Sequence, residues 1–122
     1  MRRIFLGAVA AAAAAWMNSA SAQEAPIRIG LLMPYSAGPF TAIGTEMTDA
    51  FMLALEDANN QIGGRKIEVL KEDTTHKPDV AQAKAKKLVF EDKVDMLIGP
   101  VSSQELTALS DFAKQSATPP RS

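Results

Sequence analysis

The feature that most constrains the fold is a regular alternation of short apolar runs with longer amphipathic segments. The first run, Ile27–Met33, is almost continuously apolar, which is typical of a strand buried on both faces of a sheet. Two further strand-like runs, Lys66–Asp73 and Val94–Gly99, follow at spacings that leave room for a helix. This alternation predicts an α/β fold with the order β-α-β-α-β-α and a parallel sheet.

The segments between and after these runs have helical periodicity. Apolar residues recur at 3.6 spacing from Ile43 to Ala58, which predicts an amphipathic first helix with a left-handed cap at Gly63 or Gly64. The second helix is predicted over residues 79–92, with its lysines in solvent, and the third begins at one of two adjacent serines.

The N-terminus has the pattern of a secretory signal. A basic start at Arg2 is followed by the apolar run Ile4–Met17 and by small residues at Ala20 and Ala22. This pattern predicts a signal peptide over residues 1–22, cut after Ala22. A membrane anchor is disfavoured because a span needs about 20 apolar residues.

Charge and composition narrow the possible partners and cofactors. Without the two arginines of the signal, 11 basic residues stand against 14 acidic ones, a net charge of −3, which disfavours a nucleic-acid partner. The chain has no cysteine, hence no disulfide and no thiolate metal site, and an exported chain of this kind suits a periplasm.

Motifs for catalysis and metal binding are weak. The sequence contains neither G-x-G-x-x-G nor G-x-x-x-x-G-K-[ST], and GPVSSQ does not fit G-x-S-x-G, so nucleotide binding and a nucleophile elbow are disfavoured. Glu72, Asp73, His76 and Asp79 could suggest a metal, but with one histidine we favour solvated loop charges. We therefore expect no cofactor and a function in binding rather than catalysis.

Two loops are candidates for a ligand site. In an open α/β sheet, ligands bind at the carboxyl ends of the strands, where the strand order reverses. If the order starts 2-1-3, the loops that meet there contain PYSAGPFT and GPVSSQ. Ser102 and Ser103 in the second loop stand at a predicted helix N-terminus, where free N–H groups favour a carboxylate.

Each loop also has a purely structural interpretation. Ser102 with Glu105 fits a capping box, and one serine can cap while the other faces a ligand. In the first loop, Tyr35, Ser36 and Phe40 are available to a ligand. The alternative is a Pro/Gly turn with Thr41 as helix cap and Phe40 as a hydrophobic staple.

Three passages together carry a family resemblance: IRIGLLMPYSAGPFTAIG, NNQIGGRKIEVLKED and KVDMLIGPVSSQE, in this order. Over about residues 26–116 the chain resembles the start of a periplasmic substrate-binding protein of ABC transporters, of the branched-chain amino acid (leucine/isoleucine/valine) type. The resemblance implies part of the first lobe of a type I periplasmic binding protein fold. It also implies a small carboxylate solute, an inner-membrane ABC permease as partner and no enzymatic activity.

The resemblance also assigns site residues. The serine that holds the ligand carboxylate in such proteins matches Ser103, with Ser102 just before it. The residue before the glycine of the first helix often lines the pocket, and here that residue is Ile43. The SAGP loop is one residue longer than the commoner SGP, which affects the contacts expected of Ser36 and Phe40.

Length is the largest departure from the family, whose members carry a second lobe. We expect residues 23–116 to form a partial N-terminal lobe and residues 117–122 an irregular tail, as in a truncated product or fragment. Such a chain is expected to fold marginally and to bind solute weakly or not at all. Alternatives from other classes are the ligand-sensing domain of a receptor or regulator, and a small flavodoxin-like enzyme.

Overall fold

The computed structural model describes residues 24–117, so the predicted signal peptide and residues 118–122 of the predicted tail lie outside the described residues. The elements in chain order are β1 (Ile27–Met33), α1 (Thr41–Asp57), β2 (Gln61–Ile62), β3 (Arg65–Asp73), α2 (Pro78–Lys86), a π-helical turn (Lys87–Glu91), β4 (Met96–Ile98) and α3 (Ser103–Ala117). Within this range no helix combines the length and apolar character that a membrane crossing requires.

The sheet has the strand order β2-β3-β1-β4. β1 lies in the middle and pairs in parallel with β3 and β4. The three predicted strands therefore have the order 2-1-3, and the predicted α/β fold with parallel sheet is confirmed. The reversal of strand order falls at β1, which places a crevice at the carboxyl ends of β1 and β4.

A two-residue strand, β2, was not predicted. It pairs antiparallel with the start of β3, and Gly63 and Gly64 connect the two strands with φ values of +58° and +79°. The prediction that one of these glycines caps α1 is therefore wrong. Instead Asn59 and Asn60 take the left-handed conformation after the helix, which asparagine tolerates better than most residues.

The core is built around β1. Leu32 packs in a cluster with Leu88 of the π-helical turn and with Leu109 and Phe112 of α3. A Cβ atom on Gly30 would lie 2.9 Å from Leu97 and 3.0 Å from Leu88, so the missing side chain permits this close packing. Side chains alternate between the faces of a strand, so the buried residues Leu31 and Met33 point to the other face of the sheet. Helix α1 contacts β1, and we place it on that face.

Helix α1 buries a narrower line than its apolar stripe suggests. Gly44, Thr48 and Leu55 are buried, whereas Ile43 and Met47 are 42% and 47% exposed. A Cβ atom on Gly44 would lie 2.6 Å from the carbonyl oxygen of Pro34. The helix therefore approaches the end of β1 closely at this glycine, and that approach turns Ile43 and Met47 towards solvent.

Candidate functional site

Three loops meet at the carboxyl ends of the parallel strands. They follow β1 (residues 34–40), β3 (residues 74–77) and β4 (residues 99–102). A pocket of about 250 Å³, here called the edge pocket, lies between them and is lined by Phe40, His76, Val101, Ser102, Ser103 and Gln104. The two loops singled out in the sequence thus share one crevice, and the loop after β3 joins them.

The two serines at the start of α3 differ in their surroundings. Ser102 is buried, and its Oγ accepts a hydrogen bond from the backbone N–H of Glu105 at 3.3 Å. Its hydroxyl donates to Oε2 of Glu105 at 2.6 Å. The predicted cap at Ser102 is confirmed, while Ser103 is exposed at the rim of the edge pocket. One serine therefore serves the helix, and the other is free to face a ligand.

His76 also lines the edge pocket. Its ring meets the ring of Phe40 edge to face, with centroids 5.1 Å apart and planes at 66°. A Cβ atom on Gly38 would lie 2.5 Å from Cβ of His76, and Gly38 has a φ of +89°. A glycine is therefore needed there for the loop after β1 to reach the imidazole.

A buried carboxylate, that of Glu105, lies next to His76. Glu105 has a side-chain exposure of 0%, and its Oε2 lies 3.6 Å from Nδ1 of His76. Within residues 24–117, Nδ1 of His76 and Oε1 of Glu105 are the buried side-chain polar atoms without a hydrogen-bond partner. Buried polar atoms are nearly always paired, so this juxtaposition stands out from the rest of the described chain.

The predicted residues Tyr35 and Ser36 bond within the protein. The backbone N–H of Tyr35 donates to Oδ1 of Asp73 at 2.9 Å, and the Ser36 hydroxyl donates to Oδ2 of the same carboxylate. The phenol of Tyr35 is hydrogen-bonded to Oγ1 of Thr48 at 2.7 Å. Neither residue lines the edge pocket, and neither does Ile43.

Asp73 therefore organises the loop after β1. Burial acts to raise its pKa, but hydrogen bonds from the Ser36 hydroxyl and from the N–H groups of Tyr35 and Thr75 outweigh that effect, and the pKa is lowered. The alternative role given to Thr41 is not observed, because Thr41 is the first residue of α1 and the cap position belongs to Phe40.

The residues considered as metal ligands have other partners. Glu72 lies 2.9 Å from Nζ of Lys84 and 2.5 Å from Nζ of Lys87. Burial acts to raise the pKa of Glu72, yet the hydrogen bonds from Lys87 and Lys84 lower it below its ordinary value. The interpretation of these groups as solvated charges is thus wrong for Glu72, whose side chain is mostly buried, whereas its two lysines remain partly exposed to solvent. Across the described range 24–117, no three metal-binding side chains gather at one place.

Sequence reasoning missed the pairing of His76 with Glu105. The sequence singles out both residues, one as a metal candidate and the other as part of a capping box, but for separate reasons. A usable signal does exist: in a parallel sheet the loops after β3 and β4 reach the same edge.

A second, larger cavity lies elsewhere. It measures about 420 Å³ and runs between β4 and α3; we call it the apolar groove. Its lining is mostly aliphatic and aromatic and includes Val89, Val94, Met96, Leu97, Leu106, Leu109 and Phe112.

Comparison with known proteins places the chain in a family. The sequence profile described as periplasmic binding protein matches residues 26–120. A comparison with curated protein sequences finds no match.

Solved structures are similar over most of the chain. An ABC transporter substrate-binding protein from Sphaerobacter thermophilus is 36% identical with a TM-score of 0.72, covering 78% of this chain and 25% of its own. A solute binding protein from R. palustris in complex with benzoate is 32% identical with a TM-score of 0.70, covering 75% and 25%.

A third structure extends the range of solutes among the relatives. The branched-chain amino acid transporter substrate binding protein from Streptococcus pneumoniae, in complex with isoleucine, is 28% identical with a TM-score of 0.69, covering 78% of this chain and 28% of its own. The chain therefore spans about a quarter of the length of these relatives. Together the profile match and the shared fold establish that the chain belongs to the periplasmic binding protein family.

Proposed function

We propose that this chain supplies part of the first lobe of the solute-binding component of an ABC importer. The solute is a small carboxylate, and the partner is an inner-membrane ABC permease. Residues 1–22 act as a signal that directs the protein to the periplasm, and residues 23–116 form the partial lobe. Like its relatives, the protein binds and delivers solute and has no enzymatic activity.

The observation that carries the proposal is the geometry of the edge pocket. Ser103 is exposed at the first turn of α3 and lines the pocket together with Phe40. The first turn of a helix offers unpaired N–H groups and a partial positive charge to an anion. Hydrogen bonds to a charged group contribute about 1.5–3 kcal/mol each, which is enough to hold a solute by its carboxylate.

The solute class follows from the walls of the same pocket. Phe40 and Val101 offer apolar surface, and the Ser103 hydroxyl offers a donor. An acid with a short aliphatic or aromatic body fits this combination. Isoleucine and benzoate, the solutes bound by two of the relatives, are both of this kind.

Affinity for the isolated chain is expected to be weak. The matched part of the chain covers only about a quarter of the length of each relative. Closure of two lobes around a solute removes it from water, and a single partial lobe cannot supply that step. We therefore expect a dissociation constant of about 1 mM or weaker, which corresponds to about 4 kcal/mol.

The test is a titration of the isotope-labelled chain with benzoate and with isoleucine, followed by NMR. We expect the amide signals of Ser103 and Gln104 to move, and Ser103→Ala to weaken binding more than Ser102→Ala does. Ser116→Ala is the matched control, because this serine lies on the same helix but lines the apolar groove. Signals that move only around the apolar groove, or none that move at millimolar solute, would refute the proposal.

A further inference from the structure

The edge pocket is proposed to bind an anion, yet a carboxylate is buried behind it. Glu105 is fully buried, and its Oε1 atom has no hydrogen-bond partner within residues 24–117. Oε2 accepts one hydrogen bond, from the hydroxyl of Ser102, which itself lines the pocket. A negative charge at this position opposes the approach of an anionic solute to the same helix terminus.

The opposing charge is costly because solvent does not screen it. A buried carboxylate without a full set of partners is destabilised in its charged form, and nearby charges interact strongly in such surroundings. Two carboxylates that share a site favour the uptake of a proton by one of the groups present. Binding an anion here should therefore draw a proton to the residues around Glu105.

His76 stands where it can receive that proton. Its Nδ1 atom is 3.6 Å from Oε2 of Glu105 and has no hydrogen-bond partner among the described residues. Its ring forms one wall of the edge pocket. A protonated imidazole would donate to the Glu105 carboxylate and would present a positive charge to the solute, so one proton would offset both repulsions.

We propose that capture of a carboxylate solute in the edge pocket is coupled to the uptake of one proton by the His76–Glu105 pair. The inference rests on the proposed function and adds a pH dependence to it. His76 and Glu105 are then residues that set the charge of the pocket, and solute affinity rises as pH falls through the range in which histidine ordinarily titrates.

The other groups around His76 do not replace Glu105 in this role. The loop after β1 faces the imidazole with the uncharged residues Gly38 and Phe40. At the end of β3, just before the loop that carries His76, the Asp73 carboxylate accepts hydrogen bonds from the N–H groups of Tyr35 and Thr75. From α3 comes Glu105, the one carboxylate within 4.0 Å of a His76 ring nitrogen across residues 24–117. The neighbouring charges Lys77 and Asp79 are exposed.

The chain offers a direct readout because it contains a single histidine. With a tag-free, isotope-labelled chain held at about pH 7, the imidazole signals should move towards those of the charged form when benzoate is added. Calorimetry in two buffers of different ionisation enthalpy should show uptake of close to one proton per benzoate bound. Because uptake of one proton changes affinity by up to about tenfold per pH unit, benzoate affinity should be more than tenfold and up to about 100-fold higher at about pH 6 than at about pH 8.

Two variants separate this role from a merely structural one. Glu105→Gln should abolish proton uptake and raise affinity at about pH 8 to the level seen at about pH 6. His76→Gln should also abolish uptake, but should lower affinity at about pH 6 to the level seen at about pH 8. Asp79→Asn, which changes an exposed carboxylate on the adjoining helix, should leave the pH dependence intact.

The outcomes also separate this inference from the proposed function. If the Ser103 amide signal moves with benzoate but no proton is taken up, the coupling is wrong and the binding site stands. If the Ser103 amide does not respond at all, both proposals fail. Equal losses of affinity at both pH values in Glu105→Gln and His76→Gln would reduce the pair to a structural role and overturn the coupling.

Discussion

Two of the cavities found within residues 24–117, the apolar groove and the edge pocket, differ in size and in chemistry, and the proposed function rests on the smaller of these two. The apolar groove measures about 420 Å³ and is lined mainly by core-type side chains, such as Leu97 and Leu109. The edge pocket measures about 250 Å³ but gathers an imidazole, two hydroxyls and the start of a helix. The volume of a cavity shows only how much space the packing leaves empty. Polar groups that converge on a cavity indicate that a polar solute can bind there.

The position of each cavity in the sheet explains the difference. The apolar groove lies beside β4, a strand of three residues at the edge of the sheet, where Met96 is exposed. The edge pocket lies where three loops meet at the carboxyl ends of the strands, so backbone amides and loop side chains converge there. The apolar groove is thus a gap in the packing beside an edge strand, whereas the edge pocket is a site where polar groups converge.

The largest effect is expected at Gly99, which joins the two regions. It follows β4, lines the apolar groove and begins the loop to the edge pocket. Its φ is +119°, and a Cβ atom would lie 2.0 Å from the carbonyl oxygen of Leu32. Gly99→Ala should therefore lower the free energy of unfolding by about 3 kcal/mol or more, as measured by urea denaturation.

The matched control for Gly99 is another glycine with positive φ. Gly63 has a φ of +58°, and a Cβ atom added to it would meet no other atom within 4 Å. Gly63→Ala should cost about 1 kcal/mol, the strain of a left-handed residue alone. Equal losses in the two variants would show that the contact with Leu32 relaxes freely.

The next effect concerns the apolar groove. Leu109 belongs to the core cluster, while Leu106, one turn earlier on α3, is exposed at the same groove. Leu109→Ala should lower the free energy of unfolding by about 2–5 kcal/mol, and Leu106→Ala by less than about 1 kcal/mol. Thermal or urea unfolding of both variants measures the contrast, and similar losses would mean that the groove is covered in solution.

A smaller effect is expected from the serines of the edge pocket. Ser102→Ala removes the helix cap and the donor to Glu105, and should cost about 1 kcal/mol of stability. Ser103→Ala should change stability by less than about 0.5 kcal/mol, because the residue is exposed. Urea denaturation of both variants measures these differences in the free energy of unfolding. A larger loss of stability in Ser103→Ala than in Ser102→Ala would contradict the division of roles between the serines.

The smallest effect is a pH dependence that comes from Asp73. Its folded pKa is lowered relative to the ordinary value of 3.8 by the balance of burial and hydrogen bonds described above. The corresponding stabilisation is present above that value and is lost as the pH falls through the folded pKa. Melting temperatures measured from neutral to acidic pH should fall less steeply in Asp73→Asn than in the parent chain. An unchanged slope would mean that the hydrogen bonds of Asp73 do not stabilise the folded chain. Asp79→Asn is the control, because this carboxylate is exposed.

The order of strands and helices could be read from the sequence because it depends on local patterns. Ile27–Met33 is apolar throughout and forms the central strand, and the helical periodicity from Ile43 onward forms α1. Local patterns misplaced Gly63 and Gly64, because a left-handed glycine suits a hairpin turn as well as a helix cap. The family resemblance added the fold of the lobe, which the profile match and the solved structures bear out.

What the sequence alone determined is the framework: an α/β chain whose serine-containing loop stands at the carboxyl edge of a parallel sheet. That result follows from periodicity and from the geometry of parallel strands. Only the tertiary structure decided which side chains meet there. It buried Ser102 as a cap, left Ser103 at the pocket and brought His76 within 3.6 Å of Glu105. Contacts between residues distant in sequence depend on how the loops pack, and no local pattern encodes that packing.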